Sequence, residues 1–267
     1  MKKTKSYLAY EKSPFKSIKH TTYFEVYDAL FSSYRGKNIT FVEIGVLSGG
    51  SLFMWRDFFG PNARIIGVDL NPIAKKWEAH GFEIYIGSQS DENFWSEFIN
   101  EVGPVDLVLD DGGHTYEQQL VTAEMLFGNI KDKGMLVVED THTSYMSGFG
   151  PKKYSFIQYT KNMIDLINHR FGEFNSMNSD NRVWSIRVYE SIVAFEINKS
   201  ALDLKSEPTS NGGSDDHAED YRYDDENTIK NFNSLGKKFR LLRKIPGFEK
   251  VRNLLVYKKF SGKRFFR

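Results

Sequence analysis

Apolar positions along the chain recur in two rhythms. Short β-branched runs predict strands at "NITFVEIG" (38–45), "ARIIGVDL" (63–70), "FEIYIG" (82–87), "VDLVLDD" (105–111) and "GMLVVED" (134–140). Between them, the spacing becomes helical. "GGSLFMWRDFFG" (49–60) sets Leu52, Trp55, Phe58 and Phe59 on one side, and "DENFWSEFINEVG" (91–103) opens on a capping Asp91 and stops at Gly103. Further helices are predicted from about Tyr116 to Ile130 and over the amphipathic stretch 152–172. Strands alternating with helices predict an α/β fold built on a doubly wound, mostly parallel sheet. The segment "VWSIRVYESIVAFEI" (183–197) breaks the rhythm, with two apolar runs meeting near Tyr189 to Ser191. It predicts a terminal hairpin that adds an antiparallel strand.

Composition adjusts this picture only at its edges. With 267 residues, 40% hydrophobic and 15% aromatic, the chain can bury one sizeable core. It has no cysteine, which excludes disulfides, thiolate metal sites and cysteine nucleophiles. The opening "MKKTKSYLAYEKSPFK" lacks the apolar centre of a signal peptide, and no apolar run approaches the roughly 20 residues of a membrane span. A soluble, cytoplasmic protein is expected. The net charge of +1 hides an asymmetry. Residues 203–226 hold nine acidic against two basic residues, a net of −7, whereas 236–267 hold twelve basic against one acidic, a net of +11. The expected division is an N-terminal helical cap (1–37), a catalytic-type domain (38–199), a flexible acidic linker (200–235) and a basic aromatic tail (236–267). The tail interleaves its cations with Phe239, Leu241, Leu242, Phe248, Leu254, Leu255 and Phe260, a pattern suited to peripheral association with an anionic membrane at its inner face. A solvated tail is the alternative, nucleic acid is disfavoured, and a homo-oligomer is left open.

In an open α/β sheet, ligands lie beyond the carboxyl ends of the strands. Collected there are Glu43 and Gly45, Asp69, Ser88 and Gln89, Asp110 and Asp111, and Glu139 and Asp140. "GVLSGG" lacks the full G-x-G-x-x-G spacing of a dinucleotide loop. Asp69 suits the ribose hydroxyls of an adenosine ligand, while Glu43 would repel a diphosphate and welcome a cation. S-adenosylmethionine has that profile, so Glu43, Gly45, Asp69, Ser88, Gln89 and Asp110 are the candidate cofactor residues. Asp111, Glu139 and Asp140 are hard oxygen ligands suited to Mg²⁺. Without a cation they would repel one another, and no basic residue within these motifs is an obvious partner. A solvated acidic cleft is the alternative. His114, three residues beyond Asp111, can accept a hydroxyl proton near neutrality, with capping of the next helix or donation to an acid as the alternative. His142 and Tyr145 are candidate substrate contacts. Tyr23 and Tyr27 read as pocket lining or as helix packing, and the glycine-rich "MSGFGPKKY" (146–154) as a lid.

The blocks "EIGVLSGGSLFMW", "IIGVDLNP", "GSQSD", "LDDGGHTYEQ" and "GMLVVEDTHTSY", in this order, resemble class I S-adenosylmethionine-dependent methyltransferases. Within that class they are similar to the metal-dependent sugar O-methyltransferases of the mycinamicin-macrolide type and to the cephalosporin hydroxylase-like family. The resemblance runs from about residue 17 to 197, with Ser88 standing where an acid is common. It implies a Rossmann-like methyltransferase fold with a seven-stranded sheet, Mg²⁺ held by Asp111, Glu139 and Asp140, and His114 as general base. The acceptor it implies is a hydroxyl of a sugar or glycoside, in surface polysaccharide or glycosylated natural-product synthesis. A hydroxylase-like enzyme with a redox metal is the second reading. The third is a non-catalytic nucleotide-fold module recruited to membrane or nucleic acid by its basic tail.

Overall fold

The strand β1 (Thr40–Ile44) is buried at every position, as expected of a central strand covered on both faces. It pairs in parallel with β2 (Arg64–Asp69) on one side and with β4 (Val105–Asp110) on the other. β3 (Glu83–Ile86) extends the sheet beyond β2, and β5 (Ile130–Val138) extends it beyond β4, both in parallel. β6 (Ser185–Tyr189) and β7 (Ile192–Glu196) form the terminal hairpin, in which β7 lies antiparallel to β5. The seven strands run in the order β3-β2-β1-β4-β5-β7-β6. These features come from a computed structural model, which describes residues 3–174, 177–214, 219, 221–222, 224–225, 227–238 and 247–257.

Alternate side chains of the strands feed two cores. Phe41, Leu107, Leu109 and Val137 meet Tyr27, Phe31, Trp55 and Phe59 from α2 (Tyr23–Phe31) and α3 (Gly50–Phe59). Val42, Val68, Val108 and Val138 meet Trp95, Leu126 and Phe156 from α4 (Glu92–Val102), α5 (Tyr116–Leu126) and α6 (Phe156–Asn168). Helix α1 (Lys5–Lys12) is tied to α2 through Asp28, whose carboxylate accepts from the Lys5 and Ser6 amides at 2.8 Å each. The predicted strand "GMLVVED" overlaps the second half of β5, which begins at Ile130 and whose pairing with β4 shifts register between Val105 and Leu107.

Met1–Glu207 forms one compact unit and Pro208–Arg267 another. The first also contains the short helix α7 (Lys199–Leu202). The second contains α8 (Asn227–Lys238) and α9 (Phe248–Tyr257). Much of the basic tail, including Phe239, Leu241, Leu242 and Phe260, lies outside the described residues. Among the described residues no helix is long and apolar enough to cross a membrane.

Candidate active site

The strand ends of β1, β2, β4 and β5 open onto one cavity of about 450 Å³, walled by Gly45, Asp69, Ser88, Gln89, Asp111 and His114 among others. Its loops are built by close backbone approaches. Gly45 has φ +89°, and a Cβ there would stand 2.1 Å from the Asp111 carbonyl oxygen, so only glycine fits the turn. Asp69 accepts from the Val46 and Leu47 amides at 2.9 Å and from the Asn71 amide at 2.8 Å, which fixes the loop against β2. Gln89 donates to both oxygens of Asp110 and accepts from the Gly113 amide at 2.7 Å. Burial pushes the Asp110 carboxyl up to about 7, against the hydrogen bonds from Gln89 and Gly112. Glu43 is fully buried behind the pocket, accepting from Ser51 Oγ at 2.8 Å and Trp55 Nε1 at 3.0 Å. Glu43 and Asp110 therefore support the pocket from beneath, while Gly45, Asp69, Ser88 and Gln89 form its wall.

A second, smaller cavity of about 120 Å³ adjoins the first and shares Ile18, Asp111 and Asp140 with it. Three imidazoles face Asp140. His114 Nε2 lies 3.3 Å from Oδ2, and His142 Nδ1 and His20 Nε2 lie 3.9 and 4.0 Å from Oδ1. The Tyr23 hydroxyl bonds Asp140 and stands 2.9 Å from Ser191 Oγ, which in turn lies 2.5 Å from His142 Nδ1. Leu47, His114, Asp140 and Ser191 all adopt left-handed backbone conformations, with φ between +47° and +62°. Strained non-glycine residues gathered at one rim mark a place where surrounding structure dictates side-chain direction.

Asp111, His114 and Asp140 can bring one ligand atom each within 4.8 Å of one another, a donor set suited to a divalent cation. Glu139 belongs to the same corner but is wholly buried. Its Oε1 accepts from the Tyr27 hydroxyl at 2.5 Å and its Oε2 from Lys19 Nζ at 3.1 Å. Tyr145, at 70% exposure, does not wall either cavity. The segment read as a lid is pinned by Tyr116, whose hydroxyl donates to the Met146 carbonyl and whose amide donates to that of Phe149.

Residues 42–141 match a family model described as a methyltransferase domain. That stretch is similar to a methyltransferase domain. The chain is similar to mycinamicin VI 2''-O-methyltransferase of Micromonospora griseorubida, with 31% identity over 191 residues, covering 64% of this chain and 46% of that protein. It is similar also to demethylmacrocin O-methyltransferase of Streptomyces fradiae, at 30% identity, covering 64% and 47%. Among solved structures it superposes on the MycE methyltransferase of the mycinamycin biosynthetic pathway, in complex with Mg, SAH and mycinamycin VI. The TM-score is 0.65 at 26% identity, covering 77% of this chain and 55% of that one. The chain thus spans about half the length of these relatives.

Sequence reasoning missed three residues around the site's rim: Lys19, His20 and Ser191. Lys19 supplies the neutralising partner not found within the motifs, bonding Asp111 Oδ2 at 2.6 Å. Burial works against its ammonium, but Asp111, Glu139 and Glu43 outweigh that and hold Lys19 above lysine's ordinary range. Tyr23 and Tyr27 answer the open choice by doing both. They pack in α2 and present their hydroxyls to Asp140 and Glu139.

Proposed function

We propose that this protein transfers the methyl group of S-adenosylmethionine to a hydroxyl of a sugar carried on a small glycoside, with a divalent cation bound at the acidic rim. One observation carries the reading: a cofactor-sized cavity and a smaller acidic cavity share Asp111 and Asp140, and His114, in the wall of the larger one, lies 3.3 Å from the shared Asp140. Among the described residues walling the larger cavity there is no lysine or arginine, which disfavours a diphosphate and suits a sulfonium cation. The carboxylates of Asp111, Glu139 and Asp140 border the smaller one, and such hard oxygen donors fit a divalent ion. The relatives' names supply the acceptor class. They name a 2-methoxy-α-L-rhamnosyl tetracenomycin in a Streptomyces olivaceus relative at 34% identity and an L-olivosyl-oleandolide in a Streptomyces antibioticus relative at 27%. This favours a small glycoside over a polysaccharide.

When bound, the cofactor supplies an electrophilic methyl group and the cation supplies Lewis acidity that favours the acceptor's alkoxide. The chain's own residues do the rest. Gly45, Asp69 and Ser88 shape the adenosine end of the pocket. Asp111 and Asp140 would hold the cation. His114 Nε2 stands 3.3 Å from Asp140 Oδ2, so that carboxylate can orient the ring and leave Nδ1 to take the acceptor's proton. Thr143 Oγ1 donates to the His114 carbonyl at 3.2 Å and holds its backbone. Much of the acceleration then comes from fixing two reactants in line. Calorimetry with S-adenosylmethionine, S-adenosylhomocysteine and NAD, with and without Mg²⁺, tests the reading. Binding of the S-adenosyl ligands but not NAD is expected, and failure of both S-adenosyl ligands to bind would sink it.

A further inference from the structure

Lys19 lies in the irregular segment between α1 and α2, where its neighbours are solvent-facing. Ile18 is 70% exposed and the His20 side chain 67%, whereas the Lys19 side chain is 1% exposed. Its Nζ sits 2.6 Å from Asp111 Oδ2, 3.1 Å from Glu139 Oε2, 4.0 Å from Glu43 Oε1 and 5.7 Å from the centre of the Tyr27 ring. One ammonium therefore stands where the ends of β1, β4 and β5 meet, against three acids that would otherwise repel one another in a buried setting. Asp111 is also an acid that the proposed function gives to the divalent ion, and Glu139 lies beside it. The cavity that would take the ion is bordered by Lys19 itself. A monovalent and a divalent cation a few ångströms apart in a desolvated corner repel strongly.

The geometry points to Lys19 as a built-in surrogate for the divalent ion. Its ammonium holds Asp111 and Glu139 together while the ion is away, and it withdraws when the ion binds. This rests on the proposed divalent site. The irregular backbone on either side of Lys19 allows the withdrawal, since no helix or strand must break for the side chain to swing out.

The test compares the full-length protein with Lys19→Met and Lys19→Arg, titrating each with Mn²⁺ and following the paramagnetic resonance of the free ion. S-adenosylhomocysteine binding is measured in parallel. The surrogate role requires Lys19→Met to bind Mn²⁺ at least about tenfold more tightly than the unaltered chain, and Lys19→Arg, which keeps the charge, to show no such gain. Equal or weaker Mn²⁺ binding by Lys19→Met overturns it. If Lys19→Met does not fold without metal, refolding in millimolar Mn²⁺ decides. Recovery supports the surrogate role, because the ion then replaces the lost ammonium, and failure to recover overturns it. Failure of S-adenosylhomocysteine to bind the unaltered chain would count against the methyltransferase reading instead, and the Mn²⁺ comparison would still decide the role of Lys19.

Discussion

His114 Nε2 stands 3.3 Å from Asp140 Oδ2, and the two residues hold left-handed backbone conformations at φ +59° and +53°. They come from the turns after β4 and β5, so two strained turns must agree for the pair to form. Such agreement gives His114 a fixed direction without a helix or strand to carry it. Replacing His114 with asparagine, which tolerates the left-handed region, separates chemistry from folding. His114→Asn is expected to lower turnover by about 10²–10⁴-fold while leaving S-adenosylhomocysteine affinity unchanged. A turnover assay beside calorimetry checks both, and unaltered turnover would refute the assigned base.

Gly45 offers a test of the loop rather than of the chemistry. A methyl group there meets the Asp111 carbonyl oxygen at 2.1 Å and carbon at 2.8 Å, both backbone atoms with no freedom to rotate away. The positive φ adds strain of its own. Gly45→Ala should therefore lose roughly 2 kcal/mol or more of stability and most S-adenosylhomocysteine binding. Urea denaturation gives the first and calorimetry the second. A midpoint equal to that of the unaltered chain would show that the β1 and β4 ends are not packed this tightly.

Glu43 sets a pH dependence whose sign follows from its burial. Burial pushes its carboxyl up to about 7 from an ordinary 4.5, against the pull of Lys19 and the hydrogen bonds from Ser51 and Trp55. With the folded value above the unfolded one, the folded chain binds the extra proton. The resulting stability is fully present below about pH 4.5 and is lost as pH rises through about 7. Its size is on the order of 3 kcal/mol. Glu43→Gln keeps the shape and cannot titrate. Unfolding free energies in metal-free buffer at pH 5 and pH 8 should fall more steeply for the unaltered chain than for Glu43→Gln. Parallel profiles would remove Glu43 from the account.

The sheet was legible because its strands are apolar runs of β-branched residues ending in acids, and both signals are local. Val105–Asp110 and the hairpin of β6 and β7 stand where the pattern places them. Asp69, Asp111, His114 and Asp140 were legible as strand-end chemistry for the same reason. Lys19 was not. In "SPFKSIKHTT" it reads as one more solvated lysine, and its burial arises only when a segment between two helices crosses the ends of distant strands. Ser191 was equally hidden, since a turn residue of a hairpin acquires its partners His142 and Tyr23 from elsewhere in the fold. The support roles of Glu43 and Asp110 also emerge only in the fold, because sequence places a residue at a strand end without saying which way its side chain faces.

Tyr27 joins the core to the site, and its hydroxyl can be removed without changing the ring that packs against Phe31 and Trp55. It donates to Glu139 Oε1 at 2.5 Å, and both groups are buried. Burial raises the phenol well above its ordinary range, so it stays neutral and remains a donor. Tyr27→Phe leaves that carboxylate oxygen without its partner, at a cost of about 1–3 kcal/mol. Glu139→Gln removes the charge that the hydroxyl serves, so the two changes should not add. A double-mutant cycle by urea denaturation in metal-free buffer is expected to give a coupling energy of about 0.5–3 kcal/mol. A coupling indistinguishable from zero would mean that Tyr27 contributes only its ring, and that Lys19 alone holds the Glu139 carboxylate in place.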